Sequence, residues 1–277
     1  MGSPSNLLVR LRSNMEPLSK KLRQVADYIL DNAQDVQFQT ITDLARNTQT
    51  SEATVVRLCR DMGYKGYSDF RMALAVDLSQ SGSKPKSDHD GDICDISASS
   101  AIDSLQDTAK LIDRKSLDRI CALVHDASFI GCVGVGASSI VGRYLAYRLI
   151  RIGKKAIMYE DTHLAAMNAR RSSEGDLWFS VSSSGSTKEV VHAAKQAFNQ
   201  NVPVVALTNI NHSPLSAIST EMLVAARPEG PLTGGAFASK VGALLLVDVL
   251  INSLLEKYPE YSESVMETAE VVVPLMS

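Results

Sequence analysis

The stretch DLWFSVSSSGSTKEVV, Asp176–Val191, passes from an apolar run through a cluster of hydroxyls around one glycine into a segment with helical spacing. Leu177–Val181 has the length and continuity of a strand covered on both faces, as strands of a parallel sheet are. The turn that follows stands at the start of a helix, Lys188–Asn199. Such a turn offers open backbone N–H groups, the positive end of a helix dipole and several short donors, which together suit an anion such as phosphate. Serine and threonine also favour helix starts for their own sake, so a plain capped loop stays open at this point.

Working outward, the alternation repeats. Phe129–Val135 reads as a buried strand followed by a helix near Ser139–Arg151, and Ala156–Tyr159 as a strand followed by a helix near Leu164–Arg170. Val202–Leu207 and the short Met222–Ala225 complete the strands. Helical stretches near Ile93–Ile112 and Ser116–Val124 precede the alternation, and an apolar helix, Ala238–Leu255, and an amphipathic stretch near Glu260–Val271 follow it. The order implies an α/β domain with a doubly wound parallel sheet. In such a sheet the turns after the strands emerge at one edge, where ligands bind at the reversal of strand order. Gly136–Ser139 and Ser182–Thr187 are two hydroxyl-bearing turns of this kind, and together they suit one compact phosphate. The rival is a dinucleotide site built on Gly134 and Gly136, with Glu160 or Asp161 on the ribose; Ser139 replaces its third glycine.

The segment SQSGSKPKSDHDGD, Ser79–Asp92, holds no hydrophobic residue and reads as a linker between residues 1–78 and 93–277. Leu7–Leu78 is helical in periodicity throughout. Within it, Thr40–Leu74 reads as a short helix, a tight turn and a second helix ending at Gly63, which is an all-α helix-turn-helix domain. Ile41, Leu44 and Ala45 form one apolar side, and Ser51 caps the second helix with Glu52 in its first turn. Val55, Leu58, Cys59 and Met62 share the inner face; Ala53, Arg57, Arg60 and Tyr64 share the outer one. Ser51, Thr54, Arg57, Arg60, Lys65 and Arg71 are the candidate DNA-facing residues. Residues 1–80 carry ten basic against nine acidic side chains, so the argument rests on arrangement, not on total charge.

The 277 residues carry a net charge of −3, which excludes a wholly basic nucleic-acid coat. Cys59, Cys94, Cys121 and Cys132 are scattered, without the spacing of a disulfide framework or a metal site. No continuous apolar run of membrane-spanning length and no signal peptide is evident, so a cytoplasmic protein without membrane partners is expected.

Residues 129–225, with FIGCVGVGASS, LWFSVSSSGSTKEVVHAAKQA and VPVVALTNINHSPLS, resemble a sugar isomerase (SIS) domain, a flavodoxin-like phosphosugar-binding fold. Residues 8–78, with LSKKLRQVADYIL and SEATVVRLCRDMGYKGYSDFRMAL, resemble the helix-turn-helix of RpiR-type bacterial transcriptional regulators. The resemblance implies a regulator, a repressor of amino-sugar or sialic-acid catabolic genes, that binds operator DNA as a homodimer or higher homo-oligomer. It implies no cofactor and no catalytic residue. The implied effector is a hexose 6-phosphate, N-acetylmannosamine 6-phosphate being favoured. Ser138, Ser182, Ser184 and Thr187 match the family's phosphate-contacting hydroxyls, which need no buried cation, with Gly185 leaving the backbone open; Glu229 matches the family's carboxylate near the sugar, and His163, after the second strand, is placed at the same cleft. Lys240, in Ser239-Lys240 where relatives carry Ser-Arg, is expected to reach the sugar across a dimer interface. The Val241–Leu255 helix is the candidate interface. The alternative is an aldose–ketose sugar-phosphate isomerase, with Glu229 or His163 as base.

Overall fold

The computed structural model describes residues 7–15, 18–80, 92–226 and 230–275. The chain divides into two compact units, Met1–Ile96 with Glu229–Gly234, and Ser97–Pro228 with Gly235–Ser277. Most of the expected linker, residues 81–91, lies outside the described residues, as does Glu229.

Among the described residues the regular elements of the first unit are helices: α1 Leu7–Ser13, α2 Lys20–Asp31, α3 Ala33–Val36, α4 Ile41–Asn47, α5 Glu52–Asp61 and α6 Tyr67–Gln80. Its core is built from Leu7, Leu11, Val25, Ile29, Leu44, Val55, Leu58, Phe70 and Leu74. The continuous periodicity hid the breaks between these helices. One is visible in retrospect: Thr40 closes a capping box with Asp43 at the start of α4. α6 ends two residues beyond the expected boundary at Leu78.

The second unit opens within α7 Ile93–Leu111, whose first four residues fall in the first unit, and continues with α8 Arg114–Asp126. Asp92 caps α7, its carboxylate accepting from the amides of Cys94 at 2.8 Å and Asp95 at 3.1 Å. Then follow β1 Phe129–Gly134, α9 Ala137–Arg151, β2 Ala156–Tyr159, α10 Thr162–Arg170, β3 Asp176–Val181 and α11 Lys188–Phe198. β4 Val204–Thr208, β5 Glu221–Val224, α12 Phe237–Lys257 and α13 Glu260–Val272 complete it. The five strands are all parallel, in the order β2-β1-β3-β4-β5. Side chains alternate between two cores, as the period of two requires. Leu177, Phe179, Val181, Val205 and Leu207 pack with α8, α9 and α12, while Trp178, Val204 and Ala206 pack with α10 and α11.

α12 is long and apolar enough by length and composition to cross a membrane, although Lys240 and Asp248 interrupt its apolar run. Its apolarity has a local cause: Ala243, Leu246, Val247, Leu250, Ile251 and Leu254 are buried in the core beside the sheet. Cys59, Cys121 and Cys132 are buried and Cys94 is exposed. Burial pushes the Cys59 and Cys132 thiols up to about 12 and Cys121 to about 11, which removes their thiolate character.

Candidate functional site

Strand order reverses between β1 and β3, because β1 leads outward to β2 and the chain then returns to place β3 on the other side. The turns after β1 and β3 therefore flank the crevice where ligands bind in open α/β sheets. After β1, Gly136 stands at the start of α9 and no side chain caps that helix. Ser138 and Ser139 follow on its first turn; the Ser139 hydroxyl donates to the Gly136 carbonyl at 2.7 Å, while that of Ser138 makes no hydrogen bond among the described residues.

After β3, the Ser182 hydroxyl is buried and pairs with that of Thr187 at 3.0 Å. Ser184 Oγ accepts from the amide and hydroxyl of Ser186 at 3.3 and 3.1 Å. No side chain caps α11. Gly185 turns the chain with φ of 60°, and a Cβ there would lie 2.1 Å from Ser213 Oγ. Only glycine satisfies both the conformation and the space.

Sequence reasoning missed the middle of this loop. The Ser183 carbonyl accepts from the amide of Asn209 at 3.0 Å and the hydroxyl of Thr208 at 3.3 Å, and its Oγ accepts from Lys240 Nζ. Lys240 thus meets the serine loop of its own chain, and an ammonium stands beside a site expected to need none. The Asn209 amide side chain holds the carbonyls of Ala225 and Ala226 at 3.2 and 2.7 Å, fixing the end of β5 beside the loop. Thr208 and Asn209 follow an apolar strand at the same sheet edge, a signal that could have found them.

His163 is exposed and lines a groove between α10 and α11 with Met167, Lys188 and His192, with no side-chain hydrogen bond among the described residues. The acids of the dinucleotide rival are engaged elsewhere. Glu160 pairs with Arg143 at 3.1 Å, and Asp161 caps α10 through the amides of His163 and Leu164.

In the first unit, Ser51 Oγ accepts from the Thr54 amide at 3.2 Å and pairs with the Thr54 hydroxyl at 2.9 Å, so both are bound into the cap of α5. Val55, Leu58 and Cys59 are buried beneath, and Ala53, Arg57 and Arg60 are exposed on the other face. The contact of Arg57 with Asp61, at 3.9 Å between exposed side chains, holds it weakly. Lys65 is exposed and donates its amide to Asp69 at 3.0 Å. Two residues differ from expectation. Tyr64 turns inward and meets the Phe70 ring edge-on at 5.4 Å, because the chain bends at Gly63. Arg71 is half-buried, donates to the Gln39 carbonyl at 3.0 Å and lies over the Tyr67 ring, so part of its guanidinium serves its own unit.

Two family models match: the helix-turn-helix domain of the rpiR family over residues 5–81, and the SIS domain over residues 123–253. The chain is similar to the Vibrio vulnificus NanR protein, solved complexed with ManNAc-6P, at 83% identity. That likeness covers 98% of this chain and 100% of the other, with a TM-score of 0.93. An uncharacterized HTH-type transcriptional regulator of Bacillus subtilis, YbbH, is 29% identical over 97% of both chains. The sugar isomerase domain of an RpiR transcription factor from Sphaerobacter thermophilus shares the fold at 22% identity, with a TM-score of 0.59 over 65% of this chain and 99% of that one.

Proposed function

Because the chain belongs to the rpiR family of helix-turn-helix transcriptional regulators that carry a SIS domain, we propose that it senses N-acetylmannosamine 6-phosphate and controls genes of sialic-acid catabolism, as a repressor. The observation that carries this reading is the 83% identity, along nearly the whole chain, to a protein solved with ManNAc-6P. The SIS domain serves ligand binding here and not catalysis, which accounts for a helix-turn-helix unit that an isomerase would leave without a role.

In this reading Ser138, Ser182, Ser184 and Thr187 donate to the phosphate oxygens, Gly185 keeps the backbone close, and Lys240 supplies the neutralising charge. Glu229 and His163 stand as the candidates for the sugar. Arg57 and Arg60 meet the major groove, with Ser51, Thr54, Lys65 and the free part of Arg71 toward the DNA backbone. Two half-sites require two such heads, and therefore a homodimer or larger assembly in the cytoplasm. For the interface expected along Val241–Leu255, the half-buried side of α12 is the candidate. There Val241, Leu244 and Leu245 line a groove with Leu105, Ile140 and Tyr144.

Calorimetric titration with N-acetylmannosamine 6-phosphate, glucosamine 6-phosphate, glucose 6-phosphate and unphosphorylated N-acetylmannosamine tests the assignment. Selective saturable binding of the first is expected. Equal binding of all three phosphates reduces the site to a generic phosphosugar site, and binding of none overturns the reading.

A further inference from the structure

α7 follows the linker, and among its nineteen residues only Ser104 and Thr108 are buried. A helix that merely filled space would bury apolar side chains on its inner stripe. Here the two buried positions, one turn apart, are hydroxyls, and each is hydrogen-bonded to backbone far along the chain. Ser104 Oγ donates to the carbonyl of Ala238, and Thr108 Oγ1 accepts from the amide of Ala226 at 3.0 Å. α12 comes close enough for this because it presents Gly242, where a Cβ would lie 2.6 Å from Thr108 Oγ1 and 3.1 Å from Ser104 Oγ.

Both backbone groups belong to segments that also hold the serine loop. Ala226 is fixed from its other side by the side-chain amide of Asn209, whose backbone N–H donates to the Ser183 carbonyl. Ala238 lies two residues before Lys240, whose ammonium donates to Ser183 Oγ. Ser183 is therefore joined to α7 along two separate hydrogen-bonded routes, one through Asn209 and Ala226, just past β5, and one through the first turn of α12.

We propose that Ser104 and Thr108 are positioning residues through which a sugar phosphate bound at the serine loop acts on α7, and so on the DNA-binding unit that precedes it in the chain. The proposal rests on the regulatory reading above. A phosphate dianion is a stronger acceptor for Lys240 than a neutral hydroxyl, so binding draws the ammonium from Ser183 and shifts the turn of α12 whose carbonyl Ser104 holds. Rearrangement of the Ser182–Thr187 loop displaces Asn209 and with it the Ala226 amide that Thr108 holds. The Thr108 bond is buried and the Ser104 bond half-buried, with both hydroxyls themselves buried, so breaking either strands a polar group and α7 follows its anchors instead of slipping past them. Coupling of this kind is a free energy shared by the two sites, so the DNA must change the sugar affinity by the same factor as the sugar changes the DNA affinity.

The test uses full-length Ser104→Ala and Thr108→Val, with Thr108→Ser as the variant that keeps the acceptor. N-acetylmannosamine 6-phosphate affinity is measured by calorimetry. Affinity for an operator fragment, selected from random DNA by the wild-type protein, is measured by fluorescence anisotropy with and without saturating sugar. In Ser104→Ala and Thr108→Val, each affinity taken alone is expected to stay within about threefold of wild type, while the factor by which sugar changes DNA affinity falls at least about fivefold. Thr108→Ser keeps the wild-type factor. An unchanged factor in both deletion variants overturns the inference, as does loss of sugar affinity in parallel with the factor, which is what a merely structural role produces. A wild-type protein whose DNA affinity ignores the sugar overturns the regulatory reading instead, and the inference falls with it.

Discussion

Two helix starts in this molecule look alike in sequence and differ in what they do with their hydroxyls. At α5, Ser51 accepts from the Thr54 amide and pairs with its hydroxyl, so both side chains stabilise the end of the helix on which they sit. At α11, Ser182 and Thr187 pair with each other, Ser184 accepts only from its neighbour Ser186, and no side chain caps the helix. The first arrangement is complete within itself. The second leaves the helix dipole and first-turn amides for something else, and an anion meets both demands. A serine before a helix is thus informative only once its hydrogen-bond partner is known.

The comparison breaks most severely at Gly185. Gly185→Ala drives a Cβ into Ser213 at a φ of 60°, so sugar-phosphate affinity should fall by at least about a hundredfold in calorimetry while operator binding persists. If the loop tolerates it with unchanged affinity, the loop is not the site. Ser182→Ala and Ser184→Ala should each cost about 1–3 kcal/mol of sugar-phosphate binding, with the DNA titration unaltered. Arg57→Ala and Arg60→Ala should do the reverse: operator affinity falls by about 1–3 kcal/mol, the salt slope drops by about one unit if the contact is to phosphate, and sugar binding is kept. Equal loss of both functions in either arginine variant would dissolve the division between the two units.

Ser51→Ala sharpens the contrast at lower amplitude, with about 1 kcal/mol of stability lost in thermal unfolding and no direct effect on the sugar. The smallest effect concerns Glu221, held below the usual carboxylate range by its hydrogen bond from Arg119, with a further bond from Ser116. A depressed acid stabilises the fold above its unfolded pKa and ceases to do so as pH falls through its folded one. The drop in melting temperature on acidification should therefore be shallower in Glu221→Gln than in wild type. The difference stays below about 1 kcal/mol, because Arg119 is largely exposed.

The strands and the helices between them were legible to within one or two residues, because apolar runs and helical periods are local patterns. Ser182–Thr187 was legible for the same reason. Ser183 was not singled out, since its importance comes from Lys240, 57 residues away. Ser104 and Thr108 were invisible: their partners lie 134 and 118 residues along the chain, and a hydroxyl in a helix carries no mark of what it will meet. Arg71 and Tyr64 show the converse, since spacing placed them on a face from which tertiary packing partly withdrew them.

The distribution of the four cysteines gives the molecule a chemical handle. With three thiols buried and held protonated, a thiol-directed dye has one accessible target, Cys94, in the first turn of α7. The unaltered protein can therefore carry a fluorophore at the point where its chain enters the sensing unit. Any motion of that helix on addition of sugar or DNA becomes an optical signal, with no residue having been engineered to report it.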